Sequence, residues 1–248
     1  MSEDVILRIK RQENQGARAR WEEFSVPRKP NMNVISALME IQKNPVTRQG
    51  DRTTPVVWDC NCLEEVCGAC SMLINDRARQ ACSALVDHLK QPILLEPMTK
   101  FPVVRDLLVD RSRMFESLKK VRAWIPIDGT YDLGPGPRLS SDDQQYLYEF
   151  SRCMTCGCCL EACPQVNSRS PFMGPAPLAQ VALFNGHPTG ARNRTERLRV
   201  LMGREGIASC GNAQNCVEVC PKEIPLTDAI ADLNRQINVH GLLGMLRR

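Results

Sequence analysis

The stretch that decides the architecture is Cys153-Met154-Thr155-Cys156-Gly157-Cys158-Cys159-Leu160-Glu161-Ala162-Cys163-Pro164. Four of its cysteines, Cys153, Cys156, Cys159 and Cys163, fall in the spacing C-x2-C-x2-C-x3-C-P. Where a protein holds two iron–sulfur clusters, this spacing sends its first three thiolates to one cluster and its fourth to the other. The rule demands a second run, and Cys210-Gly211-Asn212-Ala213-Gln214-Asn215-Cys216-Val217-Glu218-Val219-Cys220-Pro221 supplies it. Aligned on the closing C-x3-C-P, the second run should carry a cysteine at 213, and it carries Ala213. Cys153, Cys156 and Cys159 therefore join Cys220, which suits a [4Fe–4S] cluster. Cys163 joins Cys210 and Cys216, and three thiolates beside a methyl group suit [3Fe–4S]: the missing ligand matches the missing iron. A four-iron cluster completed by water or another ligand is the rival at that site. Cys158 is surplus, because using it breaks both flanking spacings. Pro164 and Pro221 end each ligand loop and stop a helix from running through it.

Toward the N-terminus, Cys62-Leu63-Glu64-Glu65-Val66-Cys67-Gly68-Ala69-Cys70 reads C-x4-C-x2-C, the plant-type [2Fe–2S] spacing, which needs a more distant fourth cysteine. Cys82 supplies it from the returning strand of a hairpin. Gly68 suits a backbone that passes close to inorganic sulfide, where a side chain would collide. Cys60 is a spare, expected to be a buried thiol. Zinc is the alternative reading, but zinc ligands come as two C-x2–4-C pairs, and the second pair is missing here.

The remaining composition fits this reading. The chain has 248 residues, enough for two domains of about 100–150 residues. Its 13 cysteines cluster tightly and are odd in number, which fits metal binding better than a disulfide framework. The three histidines, His88, His187 and His240, lie away from the cysteine groups, so the metal sites are nearly all-thiolate. Soft thiolate sites select zinc or iron–sulfur clusters. A net charge of +4 is too mild to argue for nucleic acid. No apolar run reaches the roughly 18–20 residues that span a bilayer, and MSEDVILRIKR carries charges where a signal peptide needs an apolar stretch. The chain is expected to be intracellular and not to cross a membrane itself.

An α+β fold is expected, with a β-rich domain over 1–105 and a helical domain over 106–248. Residues 5–11 and 21–27 read as strands, and 33–43 as a helix with Val34, Leu38 and Ile41 on one face. A strand through 56–58 leads into the first cysteine loop. Residues 71–84 suggest a hairpin turning at Asn75-Asp76, and 93–97 suit a last strand. Residues 101–120 look helical, and 128–141 read as a Gly/Pro loop. Ser141 with Gln144 suggests a capping box opening the helix into Cys153. Residues 176–185, 194–204 and 225–239 look helical, with Thr227 as a cap. His187 reads as an exposed turn residue. Trp21, Trp58 and Trp124 read as core or interface residues. The terminal GLLGMLRR could rest on a partner or on lipid headgroups through Arg247 and Arg248. No nucleophile–base pair, phosphate loop or paired catalytic carboxylates stand out, so no catalytic residue is assigned.

The order of the three cysteine groups, with CLEEVCGACSMLIN, CMTCGCCLEACP and CGNAQNCVEVCPKEIP, resembles the iron–sulfur subunits of succinate:quinone oxidoreductases, the succinate dehydrogenase/fumarate reductase family, over nearly the whole chain. It looks like the Gram-positive, menaquinone-linked type. The resemblance implies a β-grasp plant-type ferredoxin domain followed by an all-α bacterial-ferredoxin-like domain. It implies a flavoprotein subunit with FAD, where succinate and fumarate interconvert, and a membrane-anchor cytochrome b at the cytoplasmic face of the cell membrane. Electrons would pass along FAD, [2Fe–2S], [4Fe–4S], [3Fe–4S] and quinone, menaquinone rather than ubiquinone. Related subunits of other flavoprotein systems are the redox alternative. Pro164 matches a quinone-proximal position of the ubiquinone-type relatives. Two positions depart from them: Pro164-Gln165-Val166-Asn167-Ser168 lacks their tryptophan, and Gly211 stands where they carry histidine. Those departures imply quinone binding within the anchor, with haem relaying electrons.

Overall fold

The computed structural model describes residues 4–125 and 138–246. The chain divides into two compact units, Met1–Arg111 with Met154–Glu161, and Ser112–Cys153 with Ala162–Arg248. The first therefore runs past residue 105 and takes in part of the cysteine run at 153–163. The expected boundary falls inside a hairpin that the first unit keeps whole.

The first unit mixes sheet and helix. β1 (Val5–Arg11) and β2 (Arg20–Val26) pair antiparallel. β3 (Ser71–Ile74) and β4 (Arg77–Gln80) form the expected hairpin, with Asn75 and Asp76 both at positive φ, 48° and 64°. That is the two-residue turn whose twist matches the flanking strands, and Asn tolerates it well. β5 (Ile93–Glu96) runs parallel to β1 and antiparallel to β3, giving the order β2-β1-β5-β3-β4. Alternation along β1 buries Val5, Leu7 and Ile9. Against them lies α1 (Val34–Lys43), which buries Val34, Ile35, Ala37, Leu38 and Ile41. A fully buried side chain of this kind contributes about 1.5–3 kcal/mol. Asn33 caps α1, its side chain accepting from the Ser36 N–H at 2.8 Å.

Two expectations fail in this unit. Residues 56–58 form no strand. They are held instead by Asp106, whose carboxylate accepts from Val57 N at 3.0 Å, and by Leu107 N donating to Val57 O at 3.0 Å. Residues 101–110 are not helical: β6 (Val103–Arg105) and β7 (Leu108–Val109) form a small hairpin, and α2 (Ser112–Lys120) begins only afterwards. The β-branched Val103, Val104 and Val109 favour the strands over a helix. At the hairpin's turn Asp106 is fully buried and receives the fully buried Arg11 through Nε at 3.0 Å and Nη2 at 3.2 Å. Arg11 also pairs with Glu22.

Among the described residues of the second unit there are helices and no strand. α3 (Ser141–Ser151) is capped by Ser140, whose hydroxyl accepts from Asp143 N at 3.0 Å, one residue earlier than expected. A further one-turn helix, α4 (Cys158–Glu161), belongs to the first unit. α5 (Pro175–Gly186) opens with proline at its first position and buries Leu178, Ala179, Val181 and Ala182. It packs against α3 and against the long C-terminal helix. α6 (Arg194–Leu201) is shorter than expected. Its Arg197 is fully buried and donates to the carbonyls of Arg122, Trp124 and Gly190, which turn its desolvated charge into a structural tie. α7 (Asn215–Glu218) is one turn, and α8 (Leu226–Leu246) is longer than expected, so Thr227 lies inside it rather than at the cap position. Residues 128–137 of the expected Gly/Pro loop, and Arg247 and Arg248, lie outside the described residues. None of the described helices is long and apolar enough to cross a membrane.

Candidate metal centres

The loop before β3 is wound by residues that hold left-handed backbone: Leu63 at φ 61°, Glu65 at 56° and Gly68 at 72°. That winding turns peptide N–H groups inward. Glu64, Val66 and Cys67 donate to Cys62 Sγ at 3.4, 3.3 and 3.3 Å. Cys67 Sγ accepts from Ala69 N at 3.4 Å and Cys62 N at 3.5 Å. These donors favour the thiolate, and those of Glu64 and then Val66 draw Cys62 down to about 7. Cys70, just before β3, and Cys82, in the turn just past β4 rather than on the returning strand, are buried and pair with each other. Burial pushes Cys70 up to about 12. The loop's N–H groups thus favour the thiolate at Cys62, whereas the buried Cys70 needs a metal's charge to ionise. The chemistry of this donor set fits a [2Fe–2S] cluster, with Cys62 and Cys67 as one pair and Cys70 and Cys82 as the other.

Gly68 meets a closer neighbour than the sequence suggests. A Cβ on it would sit 2.8 Å from the Cys156 Cα and 2.9 Å from Met154 O. The loop backbone is therefore pressed against the start of the second cysteine run. Arg111 fixes it from the side, donating to Gly68 O and Ala69 O, each at 2.5 Å.

The two later cysteine runs fold as a local repeat. In the first, Thr155 at φ 53° and Gly157 at φ 88° flank Cys156, and α4 follows at once. In the second, Asn212 at φ 52° and Gln214 at φ 62° flank Ala213, and α7 follows at once. Position 213 is therefore presented as Cys156 is, with a methyl group where the thiol would be. Left-handed backbone at non-glycine residues costs about 1–2 kcal/mol each, so this loop shape is held against a preference. Cys163, Cys210 and Cys216 line one cavity together with Ala213, Pro164 and Gln165. Their proximity shows in Cys216, which is pushed up to about 11 by burial first and by the Cys163 thiol second. Three thiols and a methyl group around one small cavity fit a cluster with three protein ligands. Cys156 is raised by its hydrogen bond with Cys158 and by burial, Cys159 is 9% exposed, and Cys220 Sγ accepts from Ile224 N at 3.5 Å. Cys153 is half-buried. No disulfide forms.

A 2Fe-2S iron-sulfur cluster binding domain matches residues 6–116, and a 4Fe-4S dicluster domain matches residues 149–224. The succinate dehydrogenase iron–sulfur subunit of Bacillus subtilis is 65% identical over 96% of this chain and 95% of its own length. The chain belongs to the succinate dehydrogenase/fumarate reductase iron–sulfur subunit family. Another relative, the fumarate reductase iron–sulfur subunit of Wolinella succinogenes, is 28% identical over 96% of this chain and 98% of its own length. A chain from the Mycobacterium smegmatis Sdh1 complex in the apo form shares the fold, with a TM-score of 0.78 at 24% identity, covering 97% of this chain and 98% of that one.

Against that family background, three residues near the sites belong to no motif. Arg111 has no sequence signal. Gln80 had one: it is a polar residue at an inward position of β4, and it is fully buried. Gln165 lies over Gly211, where an added Cβ would meet its Nε2 at 2.5 Å, so glycine at 211 and glutamine at 165 form one packing arrangement. Cys60 is half-buried rather than buried, packed at the edge of the first unit's core. His187 is half-buried, not exposed: its Nδ1 accepts from Gly190 N at 3.3 Å and ties the turn after α5. Trp21 and Trp124 are 40% and 44% exposed, while Trp58 packs on the core.

Proposed function

We propose that this chain relays electrons between the FAD of a flavoprotein subunit and a quinone at a membrane-anchor cytochrome b, as part of a succinate:quinone oxidoreductase. The bound clusters, [2Fe–2S], [4Fe–4S] and [3Fe–4S], supply the one-electron stations; the chain supplies their ligands, their burial and their hydrogen bonds. The proposed ligands are Cys62, Cys67, Cys70 and Cys82 for the first. Cys153, Cys156, Cys159 and Cys220 are assigned to the second on spacing alone. Cys163, Cys210 and Cys216 are assigned to the third. The single observation that carries the reading is the backbone repeat that presents Ala213 as Cys156 is presented, beside a cavity lined by exactly those three last thiols.

The chain's own residues act by position. N–H groups at 64, 66 and 67 favour the thiolate of Cys62. Burial of Cys70, Cys82, Cys163 and Cys216 keeps water from those sulfurs. The first unit is proposed to be a β-grasp ferredoxin-type fold, on its mixed sheet with α1 across one face, and the second an all-α two-cluster domain. The chain is placed peripherally at the cytoplasmic face of the membrane. Menaquinone is the proposed quinone, bound within the anchor with haem as relay, and Pro164 is this chain's nearest approach to it. The absence of an aromatic residue over 164–168 supports that placement.

Electron paramagnetic resonance on anaerobically purified complex tests the assignment. A three-iron signal when oxidised, a two-iron signal when reduced and about nine irons per chain are expected. Silent spectra with stoichiometric zinc would refute it.

A further inference from the structure

The amide of Gln80 sits between a ligand thiol and a thiol no cluster uses. Gln80 closes β4 and is fully buried, as is Cys158. With every cysteine protonated, Gln80 Oε1 accepts from Cys70 Sγ at 3.4 Å. Its Nε2 donates to Ser71 Oγ at 2.7 Å and to Cys158 Sγ at 3.6 Å. The Ser71 hydroxyl donates in turn to Gly68 O at 2.9 Å, a carbonyl that Arg111 also serves.

This arrangement does not survive ligation. Cys70 loses its proton to solvent when it binds iron. Oε1 would then face a thiolate, acceptor against acceptor, with no donor of its own. Turning the amide by half a rotation exchanges its two ends without changing its shape, and the two orientations differ only in hydrogen bonding. In the turned form Nε2 donates to Cys70 Sγ. Oε1 accepts from the Ser71 hydroxyl and from the Cys158 S–H, which it shares with the neighbouring Cys156 sulfur, and Gly68 O keeps Arg111. Each polar atom in the group then has a partner, which a buried cluster of this kind requires.

We propose that, with the [2Fe–2S] cluster bound, Gln80 donates its side-chain N–H to the Cys70 sulfur and Cys158 holds the amide in that orientation. The proposal rests on Cys70 being a ligand of that cluster. Gln80 is a positioning residue: it acts on the cluster through Cys70. A hydrogen bond to a ligand sulfur favours the more negative, reduced form and so raises the reduction potential. It also gives the surplus thiol at 158 a task that needs an S–H rather than a metal.

The test is an electron paramagnetic resonance redox titration of the intact complex carrying wild-type chain, Gln80→Leu or Gln80→Glu. Leucine keeps the volume and removes the donor. At the wild-type midpoint, the reduced-to-oxidised ratio of the two-iron signal should fall by about three- to tenfold, tenfold being about 59 mV for one electron. Glutamate offers an acceptor in its place and should lower the ratio at least as far. The three-iron signal should keep its midpoint in both. An unmoved two-iron midpoint in a leucine variant that retains the signal overturns the proposal. Loss of the two-iron signal in wild type instead refutes the ligand assignment, and the proposal with it. Should neither variant load the cluster, pulsed resonance on wild type with nitrogen-15 in its glutamine side chains decides. A nitrogen coupling to the reduced cluster is expected, and its absence overturns the proposal.

Discussion

Replacing Gly68 by alanine tests whether the first ligand loop is pressed as tightly as the structure shows. Two costs add. Gly68 has φ +72°, where an L side chain is strained by about 1–2 kcal/mol. Its new Cβ would also meet the Cys156 Cα at 2.8 Å, Cys156 Cβ at 2.9 Å and Met154 O at 2.9 Å. Two of those three atoms are backbone and cannot swing aside, so overpacking of about 1–3 kcal/mol is expected in addition. The total is about 2–5 kcal/mol. Gly50→Ala is the matched control: φ is +94°, yet nothing lies within 4 Å of the added atom, so it carries the backbone cost alone. Urea unfolding of the cluster-bearing chain, followed by far-ultraviolet circular dichroism and visible absorbance, measures both. With a slope of about 2 kcal/mol/M, the midpoint for Gly68→Ala should fall by about 1–2.5 M and that for Gly50→Ala by clearly less. Equal midpoints in the two variants would refute the close approach at Gly68.

Ala213→Cys should complete the three-thiol site, since Asn212 and Gln214 already present that position. Iron should rise by about one atom per chain and the oxidised three-iron signal should vanish; a persisting signal at unchanged iron would count against the repeat. Asp106→Ala removes the acceptor of Arg11, Gln12 N and Val57 N together, and should cost about 3–5 kcal/mol in urea unfolding because Arg11 stays buried. Glu40 is held at about 2 by hydrogen bonds from Lys29 first and Lys43 second. Its folded value lies below the usual 4.5, so its contribution is complete above about 4.5 and lost as pH falls through about 2. Nuclear magnetic resonance titration should show that midpoint, moving up in Lys29→Met and in high salt; a midpoint near 4.5 in the unaltered chain would remove the argument.

The sequence by itself determined the iron–sulfur character of the chain and the order of its 2Fe-2S and 4Fe-4S dicluster domains. Spacing alone proposed eleven of the thirteen cysteines as ligands, with Cys60 and Cys158 spare and a gap at Ala213, because close thiolates on one loop can converge only at certain intervals. It also placed β1, β2, α1 and the Asn75-Asp76 hairpin, where alternation, capping and turn chemistry are local properties. Tertiary structure decided the rest. Residues 56–58 are held by a carboxylate some fifty residues away at Asp106, and the β-branched hairpin over 103–109 is fixed in place by the Arg11 that its turn receives. Gln80, Arg111 and Gln165 reach the sites through backbone carbonyls, thiols and a glycine distant in sequence. Apart from the inward position of Gln80 in the β4 alternation, such contacts leave no periodicity and no motif. They exist only once the chain has folded around the loops that the cysteines define.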